Sequence, residues 1–487
     1  MKSTAGAFGE KQMPNDILRP DLCVIGAGAA GLSAAAAAVQ MGASVVLIER
    51  DKMGGDCLNA GCVPSKALIA AAKHAETLRS GSKFGIANVE PAVDFLGVME
   101  HVKGAIAEIA PHDSQERFEK LGVNVIREHA SFIDPKTVKA GGSVIKARRY
   151  VIATGSPPFL PPIPGLTEVP FHTNETIFET QVLPDHLIII GAGPIGMELA
   201  QAFSRLGSKV TVIESSRPLS KEDPELTKII LEQLTSEGIQ VLQNTKIRAV
   251  KYEEAKFKIE LFNRDLVIGS HLLIATGRQP ALDNLGLNAG NISTNTNGID
   301  VDDRLRSKTN KRVFAAGDVA GGMQHTHVAG YHAGIIIKNA LFRFPARVNY
   351  QAVPRITFTD PELAHVGLSE ENASEKFDGA VKVLRAKFED NDRAVAEHKT
   401  SGSLKVITTS KGRVLGASIV GPSAGELILP WTLAVQRKQK IGSLAQVIAA
   451  YPTLSEISKR AAGEFFAPKL FHPLTRRFVK LLFKINF

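Results

Sequence analysis

The 487 residues are 44% hydrophobic and 22% charged, carry a net charge of +9, and include three cysteines. So few cysteines exclude a disulfide-stapled scaffold, and the 58 basic and 49 acidic residues are interspersed without aromatic interleaving, which argues against a nucleic-acid binder. The length allows roughly three domains, and no apolar run reaches the ~18 residues that a membrane-spanning helix needs.

The first twenty residues are polar and carry Lys2, Glu10, Lys11 and Asp16, with none of the apolar core of a secretory leader, so a cytoplasmic protein is expected. Leu22 to Ile25 is a short branched apolar run that enters Gly26-Ala27-Gly28-Ala29-Ala30-Gly31 and then the alanine-rich Leu32 to Met41. This pattern predicts strand, tight turn and helix. Gly26, Gly28 and Gly31 let the backbone turn sharply and approach a pyrophosphate, to which the helix amino end offers unpaired N–H groups and a positive dipole. Ser44 to Ile48 predicts a second strand, ending in Glu49, whose carboxylate is placed for a ribose hydroxyl.

Cys57 and Cys62 follow in Gly54-Gly55-Asp56-Cys57-Leu58-Asn59-Ala60-Gly61-Cys62-Val63-Pro64-Ser65-Lys66. About one helical turn between them would bring both thiols to one helix face, within reach of a disulfide. In a reducing cytosol such a pair is more often catalytic than structural, and it stores two electrons. A zinc site would need two further ligands, and Cys23 lies inside an apolar run. Two inert buried thiols are the remaining alternative.

The nucleotide-binding pattern then recurs. Leu187 to Ile190 enters Gly191-Ala192-Gly193-Pro194-Ile195-Gly196, a helix runs through Gln201, and the strand Lys209 to Ile213 ends at Glu214. One glycine motif is weak evidence, but two with strand, helix and acid in the same register are not chance. Gly191, Gly193 and Gly196 repeat the roles of the first set. Glu214 would accept from a free 2′-hydroxyl and repel a 2′-phosphate, which favours NAD(H) over NADP(H), with Arg217 as the nearby residue that pulls the other way. Tyr150 to Gly155 and His271 to Gly277 are matching strands ending in the same Ala-Thr-Gly, so Thr154, Gly155 and Gly277 join the candidate cofactor contacts. The proline-rich 157–164 marks a domain crossing. Val313 to Asp318 predicts a further strand, closing on Gly317 and an acid suited to a sugar or ribityl hydroxyl.

These motifs resemble the pyridine nucleotide-disulfide oxidoreductases, flavoproteins that include dihydrolipoamide dehydrogenase, glutathione reductase and mercuric reductase. The resemblance covers about residues 20–465, and its most specific element is Gly54 to Lys66. It implies an α/β fold with two Rossmann-like nucleotide-binding domains, for FAD and NAD, and an α+β C-terminal dimerisation domain. The implied boundaries are FAD domain 20–158, NAD(P) domain 159–279, FAD domain again 280–348, dimerisation domain 349–465 and a basic tail 466–487. It further implies that the first glycine set, Glu49, Gly317, Asp318 and Ala329 hold FAD, and that the second set with Glu214 holds the nicotinamide nucleotide. NADH would give hydride to the flavin, which would reduce the Cys57–Cys62 disulfide. Cys62 would be the thiol beside the flavin and Cys57 the more exposed one that attacks substrate. Lys66 would sit near the flavin with Glu198 as its partner, and His325 and His327 fall in the segment that passes the flavin.

Two departures stand out. Where the lipoamide and glutathione enzymes carry His-Pro followed by Glu, this chain reads Tyr451-Pro452 with Glu456 following. A phenol, with an ordinary pKa of about 10, is a poor base at pH 7 where an imidazole at about 6.5 serves well. Mercuric reductase-like members carry tyrosine here, so a soft-metal ion or oxidant acceptor is expected in a homodimer, with lipoyl groups as the alternative. Dedicated mercuric reductases also end in a cysteine pair, whereas no cysteine follows Cys62 here. The second departure is Phe465 to Phe487, with six phenylalanines, five basic residues and no acid. Apolar residues recur at helical spacing over Leu474 to Phe487, which suits an anionic membrane surface or packing on the dimer partner. Membrane attachment would place the protein at the inner membrane face and opens a third reading, a flavin redox sensor or scaffold.

Overall fold

The computed structural model describes residues 17–485. Lys2, Glu10, Lys11 and Asp16 at one end, and Asn486 and Phe487 at the other, lie outside the described residues. The chain divides into two compact units, each assembled from three separated segments.

The first unit takes residues up to Asn59, then Ile109–Pro157 and Gln279–Val348. Its centre is a five-stranded parallel sheet in the order Val313–Ala315, Arg149–Ile152, Leu22–Ile25, Val45–Ile48, Asn124–Ile126. Leu22–Ile25 is buried along its whole length, as expected of a central parallel strand covered on both faces. The helices Ala29–Gln40 and Thr326–Ala340 cover one face, and the small side chains of Ala30, Ala35 and Ala38 let them approach the sheet closely. The other face, with Tyr150, packs on Phe132 and Leu285 beside a four-stranded sheet of Ile17–Leu18, Ser143–Ile145, Thr137–Ala140 and Ala130–Asp134.

The second unit takes Ala60–Glu108, Pro158–Arg278 and Asn349–Phe487. It repeats the parallel arrangement with Gln240–Leu242, Lys209–Ile213, His186–Ile190 and His271–Ile274 in that order, beside a three-stranded antiparallel meander from Ile247 to Gly269. The helices Cys62–Arg79 and Pro194–Arg205 pack on each other. Residues 355–421 build a five-stranded antiparallel sheet in the order Arg355–Thr357, Glu362–Gly367, Val414–Gly421, Ser403–Thr409, Val381–Lys387. Its core gathers around the fully buried Trp431, with Ile457 and Ala461 from the helix Glu456–Glu464. Two parallel α/β sheets and an α+β C-terminal region with an antiparallel sheet agree with the fold class that the resemblance implies.

Two local expectations need correction. Cys57 and Cys62 do not share a helix. Cys57 lies in the short helix Gly55–Asn59, while Cys62 opens the helix Cys62–Arg79. Gly61, at φ −122° and ψ −108°, is not helical, and the Asn59 amide donates back to the Met53 and Gly55 carbonyls, which ends the first helix. The second helix of the repeated motif extends to Arg205, one turn beyond Gln201.

Among the described residues, no helix is long and apolar enough to cross a membrane.

Candidate active site and cofactor cradles

The two glycine turns are built alike, each within its own unit. Gly26 and Gly191 have φ +103° and +107°, and a Cβ on either would stand 2.4 Å from a carbonyl oxygen of the neighbouring strand, Ala153 or Ala275. Only glycine fits there. The acids at the ends of the second strands fold back on these turns. Glu49 accepts the Ala27 N–H at 2.6 Å and the Asp51 N–H at 2.7 Å. Glu214 accepts the Ala192 N–H at 2.9 Å, and its other oxygen takes the N–H and hydroxyl of Ser216, both at 2.9 Å. Burial pushes the Glu214 carboxyl up, and these donors outweigh it and hold it below the usual carboxylate range. Arg217 is engaged elsewhere, donating to the Ser220 and Glu222 carbonyls.

The cradles have room for a ligand. A Cβ at Gly193 would meet nothing within 4 Å, and one at Gly28 only the Gly55 Cα at 3.8 Å. Such space before a helix amino end, with a fixed carboxylate alongside, fits a dinucleotide pyrophosphate and ribose. The twin Ala-Thr-Gly strands each tie down the segment that crosses them, Thr154 donating to the Ala281 carbonyl and Thr276 to that of Phe159, both at 2.8 Å. Gly155 and Gly277 follow these threonines at φ +70° and +124°. Farther along the first unit, Gly317 approaches Ala329, and the Asp318 carboxylate accepts from the Ser156 hydroxyl at 2.5 Å.

In the second unit the structure brings Lys66 and Glu198 together, with Nζ donating to Oε2 at 2.8 Å. Glu198 is only 5% exposed, so it is no surface carboxylate. Its other oxygen accepts the Phe358 N–H at 2.9 Å, and the Lys66 ammonium lies 4.3 Å from the centre of the Phe358 ring. A buried carboxylate with both oxygens engaged keeps its lysine partner in one place. Contrary to expectation, Cys57 is half-buried and Cys62 is the more exposed of the two. Tyr451 is 71% exposed and donates its hydroxyl to Asp392 at 3.1 Å. That bond, with the charge of Asp392, holds the phenol above its ordinary pKa. Glu456 opens its helix and accepts the Thr453 N–H at 3.3 Å. His325 and His327 stack on each other with ring centres 5.2 Å apart.

A family model described as pyridine nucleotide-disulphide oxidoreductase matches residues 20–333, and a second, for the dimerisation domain of these enzymes, matches residues 353–462. The chain belongs to this family. Among curated pyridine nucleotide-disulphide oxidoreductases it is 36% identical to a mercuric reductase of Bacillus cereus over 91% of the chain and 71% of the relative. It is 37% identical to a mercuric reductase of Streptomyces lividans over 91% of the chain and 96% of the relative. Among solved structures, the Cu(II) complex of the HOCl-induced flavoprotein disulfide reductase RclA from Escherichia coli superposes with a TM-score of 0.82 at 28% identity, covering 90% of this chain and 98% of that one. LpdA from Mycobacterium tuberculosis superposes with a TM-score of 0.83 at 28% identity over 92% and 99% of the two chains.

As a pyridine nucleotide-disulphide oxidoreductase the protein is a flavoenzyme that uses FAD and a pyridine nucleotide, and its dimerisation domain makes it a homodimer. Three contacts near these sites carry no signal in the sequence. Ser156 meets Asp318 across 162 positions, and Asp392 meets Tyr451 across 59. His332 is fully buried, and its Nδ1 accepts the N–H of Gly317 at 3.1 Å. Burial pulls its pKa down to about 4, so the ring is neutral and can accept that bond.

Proposed function

We propose that the protein takes electrons from NADH and delivers them through the Cys57–Cys62 pair to a soft-metal ion or a strong oxidant. The observation that carries this reading is Tyr451. A phenol that donates to Asp392 and titrates above its ordinary range is no general base at neutral pH, so the site lacks the proton shuttle that lipoyl and glutathione substrates require. A metal ion bound by thiolates needs no such shuttle. The mercuric reductase relatives and the Cu(II) complex of RclA support the same acceptor chemistry.

Bound FAD supplies the two-electron exchange between nicotinamide and sulfur that no side chain offers. Gly26, Gly28, Gly31, Glu49, Thr154, Gly155, Gly317, Asp318 and Ala329 are the residues proposed to hold it, and Gly191, Gly193, Gly196, Glu214 and Gly277 the nucleotide. Cys62 is the first residue of an 18-residue helix, where the backbone dipole favours a sulfur anion. Lys66, one turn later and steadied by Glu198, adds a positive charge on the same helix. Cys57 is the sulfur that meets the acceptor. Two electrons pass from the dithiol to the acceptor as the bond between Cys57 and Cys62 forms, and the reduced nucleotide restores them. Tyr451 is proposed to meet the bound metal or donate to its ligands from the partner subunit's side, with Glu456 fixing the turn that carries it. NADH preference rests on Glu214, whose carboxylate would repel a 2′-phosphate, and on Arg217, whose donors are committed. A reducing cytoplasm suits a disulfide that must reopen each cycle.

Oxidation of NADH is compared with Hg(II), Cu(II) and lipoamide as acceptors. The proposal expects metal-dependent turnover and little with lipoamide. Vigorous lipoamide turnover that vanishes in Tyr451→Phe would overturn it in favour of a lipoyl dehydrogenase with an unusual base.

A further inference from the structure

The segment after the dimerisation domain forms a helix, Pro473–Leu482, that contains no buried residue. It lies beyond the last residue matched by the family models, so the shared fold does not account for it. At 100° per residue along Pro473–Leu482, Leu474, Phe478, Leu481 and Leu482 share one face and Arg476, Arg477 and Lys480 the opposite one, with Lys484 and Ile485 just beyond the helix. All nine side chains are exposed. Just upstream, Phe465 is buried in the core of the dimerisation domain, whereas Phe471, Phe478 and Phe483 stand in solvent. From Phe465 to the end of the sequence there is no acidic residue.

We propose that this helix docks the enzyme on an anionic lipid bilayer, lying in the plane of the surface. The apolar face would enter the boundary between headgroups and acyl chains, and the four cations would remain among the lipid phosphates. Charge decides between possible occupants. A second protein surface would have to bring acids to meet four cations, while an anionic leaflet presents negative charge along the helix's whole length. Ten residues span about 15 Å, enough to lie in the interface and too short to cross it.

The test is flotation of the full-length FAD-loaded protein with vesicles of phosphatidylglycerol mixed into phosphatidylcholine, and with phosphatidylcholine alone. The expected result is flotation with the anionic vesicles only, weakened by salt. Phe478→Ser with Leu481→Ser, and separately Arg476→Glu with Arg477→Glu, should each cut binding by about tenfold or more. Removal of residues from 473 onward should abolish it, with light scattering still giving a dimer. No flotation of the intact protein, flotation that survives the truncation, or a truncated chain that runs as a monomer would each overturn the proposal, the last by assigning the helix to the dimer interface. Because the readout is binding, the result stands apart from the identity of the electron acceptor.

Discussion

Glu214 is the side chain on which the proposed NADH preference rests. Its carboxylate is fixed by backbone and hydroxyl donors at the end of a strand, where a ribose would lie. Glu214→Arg should therefore shift kcat/KM from NADH towards NADPH by about tenfold or more, measured with one acceptor for both nucleotides. An unchanged ratio would show that Glu214 does not face the nucleotide. His332 makes a pH prediction at the same scale. Its ordinary pKa near 6.5 falls to about 4 in the folded protein, so the folded ring binds a proton less readily than the unfolded one. Its contribution to stability is complete above pH 6.5 and is lost as pH falls towards 4, when protonation also removes the acceptor for the Gly317 N–H. FAD release, followed by flavin fluorescence, should rise across that window, and His332→Asn should weaken the pH dependence. Glu49 and Glu214 were legible in the sequence because their offset from the glycines is fixed by one strand–helix–strand unit. His332, Ser156 and the pairing of Asp392 with Tyr451 were not, because each contact forms only when separate segments fold together.

At the scale of elements, the repeated glycine unit could be read because strand, turn and helix are set by local chemistry. The cysteine segment was harder to read. Four intervening residues suggest one helical turn, but side-chain bonds from Asn59 and the non-helical Gly61 divide the segment into two helices. The helix Pro194–Arg205 shows a different limit. Its last residue, Arg205, is 6% exposed, forks onto Glu237 at 2.7 and 2.9 Å, and reaches Asp360 at 2.9 Å. This network ties the helix to the end of the helix Pro224–Ser236 and to the turn between the strands Arg355–Thr357 and Glu362–Gly367. Arg205→Leu leaves Glu237 buried without its partner and should cost about 3–5 kcal/mol, read as a lowered Tm with the secondary structure retained below the transition. A loss under 1 kcal/mol would mean that water replaces the guanidinium.

At the scale of the whole molecule, the chain leaves and re-enters each unit, so that one sheet in the first unit needs strands from residues 22–25, 149–152 and 313–315. The matching Ala-Thr-Gly strands and the proline-rich crossing made that interruption readable, because proline and glycine act locally. The proposed chemistry rests on two sulfurs. Hg(II)-dependent NADH oxidation by the FAD-loaded dimer, compared among the wild type, Cys57→Ser and Cys62→Ser, addresses them most directly. Each variant should lose about a hundredfold or more of the metal-dependent rate, while both still pass electrons from NADH to an acceptor such as ferricyanide that takes them from flavin. Wild-type rates with Hg(II) in either variant would contradict the assignment of Cys57 and Cys62 as the relay to the acceptor.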